Sequence, residues 1–233
     1  MLNNLVIIPC RKNSKRIKNK NKIHFGNQKL FENTIKNAKK LKINKDIYLD
    51  SDDKYYEKFT KKYSINFNLR PKYLSQSKSK SIDVVLNLLK KLEKNGKYFD
   101  NVILLQATSP FRRNEDIEKA YKTFTKNKLD SIVSACYSAF KNDQVIFKNT
   151  KNKIDNNYLL KENKKILLIN GAIYIASVKF LKKNNKFFGS KKSKYYLMKQ
   201  SLSIDLDTNF DLYLAKKLLN NKNKLNKFDL YGN

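Results

Sequence analysis

Short, fully apolar runs alternate with longer segments whose apolar residues recur every three or four positions, and this pattern holds from the start of the chain to about position 135. Leu5 to Ile8 is the first such run, closed by Pro9, as expected of a strand covered on both faces. A polar loop from Cys10 to Lys22 follows, and Leu30, Thr34, Ile35, Ala38 and Leu41 then share one face of a helix over residues 29–42. Ile47 to Leu49 is the next strand, running into Asp50, Ser51, Asp52 and Asp53 at a helix start. Ile82, Val85, Leu86, Leu89 and Leu92 mark a second amphipathic helix. Val102 to Leu105 forms a strand leading into Gln106 to Pro110, Asn114 caps a helix carrying Ile117, Ala120, Tyr121 and Phe124, and Ser131 to Ala135 is one more strand.

This alternation predicts an α/β fold, a mostly parallel sheet with helices on both faces and ligands at the carboxyl ends of the strands. At 233 residues the chain suits a single domain. The later part is more polar. Gln144 to Lys148 and Tyr158 to Leu160 suggest short strands of a Lys-rich excursion, and Gly171 to Ala176 returns to a buried strand. No Pro-, Gly- or Ser-rich linker divides the chain, so the expectation is one domain over 1–233 with an arm inserted at about 140–168.

The formal charge of +31 admits a nucleic-acid or anionic-membrane partner. The lysines and asparagines are spread evenly, however, as on a solvated surface, which argues against nucleic acid as a partner. Of the 51 basic residues five are arginine: Arg11, Arg16, Arg70, Arg112 and Arg113, all in the first half. In a chain that writes Lys by default, each Arg is a candidate for forked recognition of phosphate, carboxylate or a base edge. No run approaches the roughly 18 apolar residues of a membrane span, and the first residues lack the features of a leader peptide, so a cytoplasmic protein with no membrane partner is expected. Cys10 and Cys136 are expected as buried free thiols rather than a disulfide or zinc site. His24 is the lone histidine, which excludes a histidine-rich metal site, and its neighbours Ile23 and Phe25 suggest a strand or turn residue rather than a base.

Chemistry-bearing residues gather after the first strand. RKNSKRIKNKN, from Arg11 to Asn21, packs cations, a hydroxyl and asparagines where backbone amides and side chains can converge on a polyphosphate. It lacks the glycine spacing of a P-loop, and an exposed basic loop is the plain alternative. Near the other end, SIDLD suggests a strand on which Asp205 and Asp207, two apart, face the same side and can share a hard cation. Helix-capping acids before Asn209 are the alternative there.

The chain resembles the acylneuraminate cytidylyltransferases, or CMP-sialic acid synthetases. Their opening pattern, Ile-Pro-Ala-Arg-x-x-Ser-Lys-x-x-x-x-Lys-Asn, is met by Pro9, Arg11, Ser14, Lys15, Lys20 and Asn21. Leu69 to Pro71, Ser81 with Ile82, Leu104 to Arg112, Asn170 to Ile175, Phe187 with Phe188, and Ser203 to Thr208 match further family motifs in the family's order. The resemblance implies a nucleotide-diphospho-sugar transferase-like fold with an inserted dimerisation arm, and a Mg²⁺-dependent transfer of CMP from CTP to the anomeric hydroxyl of a sialic-acid-like nonulosonic acid for cell-surface glycans. It implies that Arg11, Lys15 and Lys20 hold the triphosphate with Ser14 and Asn21, and that Arg70 and Ser81 read the cytosine. It further implies that Asp205 and Asp207 ligate Mg²⁺, that Gln106, Asn170 and Tyr174 line the sugar site, and that Phe187 and Phe188 wall its acyl group. Ordinary core packing serves equally well for the two phenylalanines. A homodimer is implied, with Lys141 and Lys161 of the arm reaching the neighbour's phosphates. A Kdo- or GTP-type sugar nucleotidyltransferase and a non-catalytic basic nucleic-acid-binding protein are the alternatives.

The chain departs from the family at Lys12, Asn13 and Lys18, at Ser77 to Lys80, and at Leu168 and Ile169, where sialic-acid-specific members often carry Arg-Pro. Loss of that arginine predicts a preference for a less polar nonulosonic acid, of the legionaminic type.

Overall fold

The structure, a computed structural model, describes residues 2–138 and 166–221. Among these, seven strands form one sheet: β1 (Asn4–Pro9), β4 (Lys45–Ser51), β5 (Asn66–Leu69), β6 (Asn101–Leu104), β7 (Ser131–Tyr137), β8 (Leu167–Ser177) and β9 (Ser193–Leu197). The order across the sheet is β5-β4-β1-β6-β8-β7-β9, and β2 (His24–Phe25) pairs with β3 (Gln28–Lys29) in a separate hairpin. Every pairing in the large sheet is parallel except those of β8, which runs antiparallel to both β6 and β7.

Because successive side chains of a strand point to opposite faces, the apolar run of β1 serves two cores at once. Leu5 and Ile7 pack with Leu88 and Leu89 of helix α3 (Ser81–Lys94) and Leu181 of α5 (Val178–Asn184). Val6 and Ile8 pack with Phe31 and Ile35 of α1 (Leu30–Lys40), Phe59 of α2 (Glu57–Tyr63), Ile117 of α4 (Asn114–Lys126) and Ala215 of α6 (Asn209–Leu219). Helices therefore cover both faces, as the alternation requires. Burying such a Leu or Ile side chain contributes about 1.5–3 kcal/mol, so a polar residue in either layer of β1 would undo the fold.

Three expectations need correction. Asn114 is the first helical residue of α4 rather than its cap; Arg113 holds the capping position, and the Asn114 amide donates to Glu118 one turn on (3.1 Å). The SIDLD segment joins no sheet. It is anchored instead by one backbone bond, from Leu206 N–H to the Thr108 carbonyl (2.9 Å). Beyond the strands expected, β5, β9 and the small hairpin also form. Cys10 and Cys136 are buried free thiols, and burial pushes the Cys10 thiol well above its ordinary range. Lys141, Lys161 and most of the expected arm lie outside the described residues, and Ser138 N–H bonds the Ile166 carbonyl (2.9 Å) where the described chain stops and resumes. No helix of the described residues is long and apolar enough to cross a membrane.

Candidate active site

The carboxyl ends of β1, β4 and β6 open on one side of the sheet, where open α/β sheets place their ligands. The loop leaving β1 is pinned from below. Cys10 N–H bonds the Asp50 carbonyl (2.8 Å), Lys12 N–H bonds Asp52 Oδ1 (2.7 Å), and Ile17 is buried. Asn21 is also buried, and its amide donates to the Arg11 carbonyl (3.3 Å), which closes the loop on itself. Arg11 and Ser14 are partly exposed and Lys15 is exposed. Among the described residues neither Arg11 nor Lys15 pairs with a carboxylate, so both cations remain available to an anion.

The two acids meet this loop through a tight turn. Asp207 N–H bonds the Asp205 carbonyl (3.0 Å), the three-residue pattern of a γ-turn. Leu206, at its apex, is fully buried. The Asp207 carboxylate is gripped by both loop cations: Oδ2 by Arg16 Nη2 (2.8 Å) and Oδ1 by Lys20 Nζ (3.0 Å). Burial alone would raise its pKa, but these two cations outweigh it and hold the carboxyl below the usual range. Asp205 shifts the other way. Burial pushes it up, a hydrogen bond from the Thr108 side chain opposes that, and the charge of Asp207 adds to it. Its Oδ1 is buried without a hydrogen-bond partner among the described residues. Thr208 then caps α6, with Asp211 returning the bond to Thr208 N–H (2.6 Å).

Beside Asp205, β8 bulges. Val133 stands opposite Tyr174, yet Ala135 stands opposite Ile169, so β8 carries extra residues between these two points. The side chains of Ser134 and Asn170 satisfy the bulge: Ile173 N–H donates to Ser134 Oγ (2.8 Å), while Ala172 N–H (3.2 Å) and the Ser134 hydroxyl (2.6 Å) donate to Asn170 Oδ1. The Asn170 amide donates to Ser203 Oγ (2.8 Å), tethering the segment that carries the acids. Gly171 takes φ +73°, and a Cβ there would lie 3.0 Å from Gln106 Oε1 and 3.5 Å from Asp205 Oδ2. Gln106, Gly171 and Asp205 are thus one cluster. Arg112 underpins it, donating to the carbonyls of Gln106 and Ala172 (both 2.8 Å) and to Thr34 Oγ1 (3.0 Å) from a fully buried position. Burial lowers its pKa to about 9, and the charge of Asp205 opposes that shift.

Other expected residues sit apart. Arg70 is buried and bound to the Asp50 carboxylate and carbonyl, which Asn68 also supports. Ser81, the first residue of α3, is exposed. Tyr174 packs on Phe187 (ring centroids 5.2 Å apart), and Phe187 belongs to the core, whereas Phe188 is exposed. His24 is exposed in the hairpin. Arg16, a candidate as one of the five arginines, was not foreseen as the partner of Asp207, and Gly171 was not singled out at all; an Asn-Gly step inside an apolar run is itself the signal of a bulge.

A family model described as Cytidylyltransferase matches residues 5–232. The chain belongs to the cytidylyltransferase family. It is similar to an N-acylneuraminate cytidylyltransferase of Escherichia coli (30% identical over 98% of this chain) and spans 55% of that protein's length. It is also similar to a CMP-N,N'-diacetyllegionaminic acid synthase of Legionella pneumophila (30% over 92% of this chain and 95% of the relative). A pseudaminic acid cytidylyltransferase of Campylobacter jejuni is 29% identical over 93% of the chain and 96% of the relative. In fold, the structure is similar to a CMP:2-keto-3-deoxy-manno-octonic acid synthetase solved with CTP (TM-score 0.69, 14% identity, 94% of this chain and 99% of that one).

For this cytidylyltransferase the metal that such enzymes typically need must fit two carboxylates, since no group of three or more His, Cys, Asp and Glu converges among the described residues. The fit is sound. Asp205 offers a buried oxygen with no hydrogen-bond partner among the described residues, Asp207 lies two residues on, and Mg²⁺ is commonly held by one or two carboxylates with substrate phosphates filling the rest.

The Gly171 contact gives a first test. In Gly171→Ala, an L-residue forced into left-handed backbone costs roughly 1–2 kcal/mol, and the methyl must displace the Gln106 carboxamide. The expected result is a melting temperature lower by about 2–8 °C for a domain of this size and, if Gln106 faces the acceptor as the resemblance implies, a KM for the acceptor raised more than that for the nucleotide. Equal changes in both would separate Gln106 from the acceptor.

Proposed function

We propose that this cytidylyltransferase joins CTP to a nonulosonic acid, releasing pyrophosphate and forming a CMP-sugar for cell-surface glycans. The observation that carries the reading is the meeting of the β1 loop with the Asp205–Asp207 turn at the carboxyl ends of the strands, with Arg11 and Lys15 left unpaired by any described carboxylate. Arg11, Lys15 and Ser14 bind the triphosphate, and Asn21 keeps the loop in shape for them. Lys20 stands between Asp207 and the phosphates. Arg70, fixed by Asp50, and Ser81 form the cytosine side. Gln106 and Tyr174 orient the acceptor, Asn170 holds the bulge beside them, and Phe187 and Phe188 supply apolar surface. The oxygen of the anomeric hydroxyl forms a bond to the α-phosphorus as the α–β phosphoanhydride bond breaks, pyrophosphate departs and the hydroxyl proton is lost to solvent, with no enzyme-bound covalent intermediate. Asp205 and Asp207 would hold Mg²⁺, whose charge would offset that of the triphosphate and of the departing pyrophosphate. The resemblance supports a cytoplasmic homodimer as the working form.

The acceptor is a less polar nonulosonic acid of the legionaminic type. Leu168 and Ile169 precede the bulge and are half-exposed, at 50% and 43%, and neither side chain offers a donor or charge to a polar sugar. A polar group left without its partner costs about 1–3 kcal/mol, a factor of roughly 5 to 150 between substrates. Pyrophosphate release is to be measured with CTP, GTP and UTP against N-acetylneuraminate, legionaminate-type acids and Kdo. The expected outcome is activity with CTP alone and a higher kcat/KM for the legionaminate type. A preference for N-acetylneuraminate would make Leu168 and Ile169 neutral, and activity only with Kdo would overturn the nonulosonate assignment.

A further inference from the structure

We infer that Arg16 is an exchange residue, holding Asp207 while the site is empty and passing to the nucleotide's triphosphate when CTP binds. The inference rests on the proposed function and adds to it a residue that the family pattern leaves unspecified, since Arg16 falls between Lys15 and Lys20 of the opening motif.

Asp207 is the meeting point of two cations that differ in freedom. The Lys20 side chain is 12% exposed, whereas that of Arg16 is 62% exposed. Lys20 is therefore confined beside the carboxylate, and Arg16 can leave it at little cost. While both are in place, Asp205 and Asp207 carry two negative charges against two positive ones. A divalent cation arriving alone meets a neutral cluster and must compete with Arg16 for Asp207 Oδ2. An arriving triphosphate changes that balance. Its oxygens match the forked guanidinium donors as well as a carboxylate does, so Arg16 moves to phosphate and Oδ2 is released. Nucleotide and metal then help each other to bind, and that coupling is reciprocal.

Arg16 makes no other described ion pair, so its replacement leaves the fold intact. The test uses no acceptor and reads no turnover. Mn²⁺ is titrated by electron paramagnetic resonance into nucleotide-free wild type, Arg16→Ala, Arg16→Lys and Asp207→Asn proteins. CTP binding is measured separately by calorimetry in EDTA. Because exposed ion pairs are weak, Arg16→Ala is expected to bind Mn²⁺ alone roughly two- to fivefold more tightly, and to bind metal-free CTP more weakly by a similar factor. Arg16→Lys should lie between it and wild type, and Asp207→Asn should lose Mn²⁺. Opposite shifts for metal and nucleotide from one substitution are not produced by a merely structural role. Equal Mn²⁺ affinity in wild type and Arg16→Ala, with Asp207→Asn defective, would overturn the exchange while leaving the metal assignment standing. Equal Mn²⁺ affinity in wild type and Asp207→Asn would overturn both.

Discussion

Asp207→Asn is expected to lower kcat by a factor of about 100 to 1000 while leaving the protein folded. The size follows from the several kcal/mol that a metal ion contributes to a charged transition state, each 1.36 kcal/mol being tenfold in rate. Asparagine keeps the shape and one oxygen but removes the charge that Arg16 and Lys20 neutralise. CTP binding should survive in weakened form, because Arg11 and Lys15 are untouched. The fold should survive because the structural bonds of residue 207 are made by its backbone: N–H to the Asp205 carbonyl (3.0 Å) and to Asp211 Oδ2 (3.0 Å). Steady-state pyrophosphate release at saturating Mg²⁺, alongside a thermal melt, checks both halves. Near-normal turnover would remove Asp207 from the metal site.

The second large effect is one of stability. Arg112→Met exchanges a buried guanidinium for an apolar chain of similar length, and two opposing terms decide the outcome. Burying a charge is costly, and apolar replacements of buried ions are sometimes neutral. Against that, Arg112 satisfies the carbonyls of Gln106 and Ala172 with bonds of 2.8 Å each. With its pKa at about 9 it still carries its charge at neutral pH. Stranding each carbonyl costs about 1–3 kcal/mol, so the net expectation is a loss of about 3–5 kcal/mol, or roughly 6–20 °C in melting temperature. Gln106 and the β8 bulge would loosen together, and the acceptor KM would rise in whatever protein remains folded. An unchanged melt would mean that the two carbonyls find other donors.

The sheet could be read from the sequence because its central strands are buried on both faces and so are written as continuous apolar runs. β9 could not, since SKYYL lies at an edge with Lys194, Tyr195 and Leu197 exposed, and it carries no continuous buried apolar run. The site shows the same division. Residues grouped along the chain, such as Arg11 to Asn21, were visible as a candidate anion loop. Pairings made by the fold were not: Arg16 finds Asp207 across 191 positions, and Arg70 turns to Asp50 rather than standing free. The Asp205–Asp207 pair was found for a reason that proved inapplicable. Its i, i+2 spacing suggested one face of a strand, but a γ-turn around the buried Leu206 brings the acids together instead. Short polar repeats are compatible with both geometries, and only the anchoring of Leu206 on Thr108 decides between them.

The bond from Ser138 to Ile166 joins the strands on either side of residues 139–165 at a single rung of the ladder. That rung continues the pairing of Tyr137 with Leu167, Cys136 with Leu168 and Ala135 with Ile169, so β7 and β8 are already in register at the point where the described chain stops and resumes. The two ends of the described chain are therefore held at hydrogen-bonding distance by the sheet itself, and the scaffold that carries Asn170 and Gly171 is set by paired residues on either side of that junction.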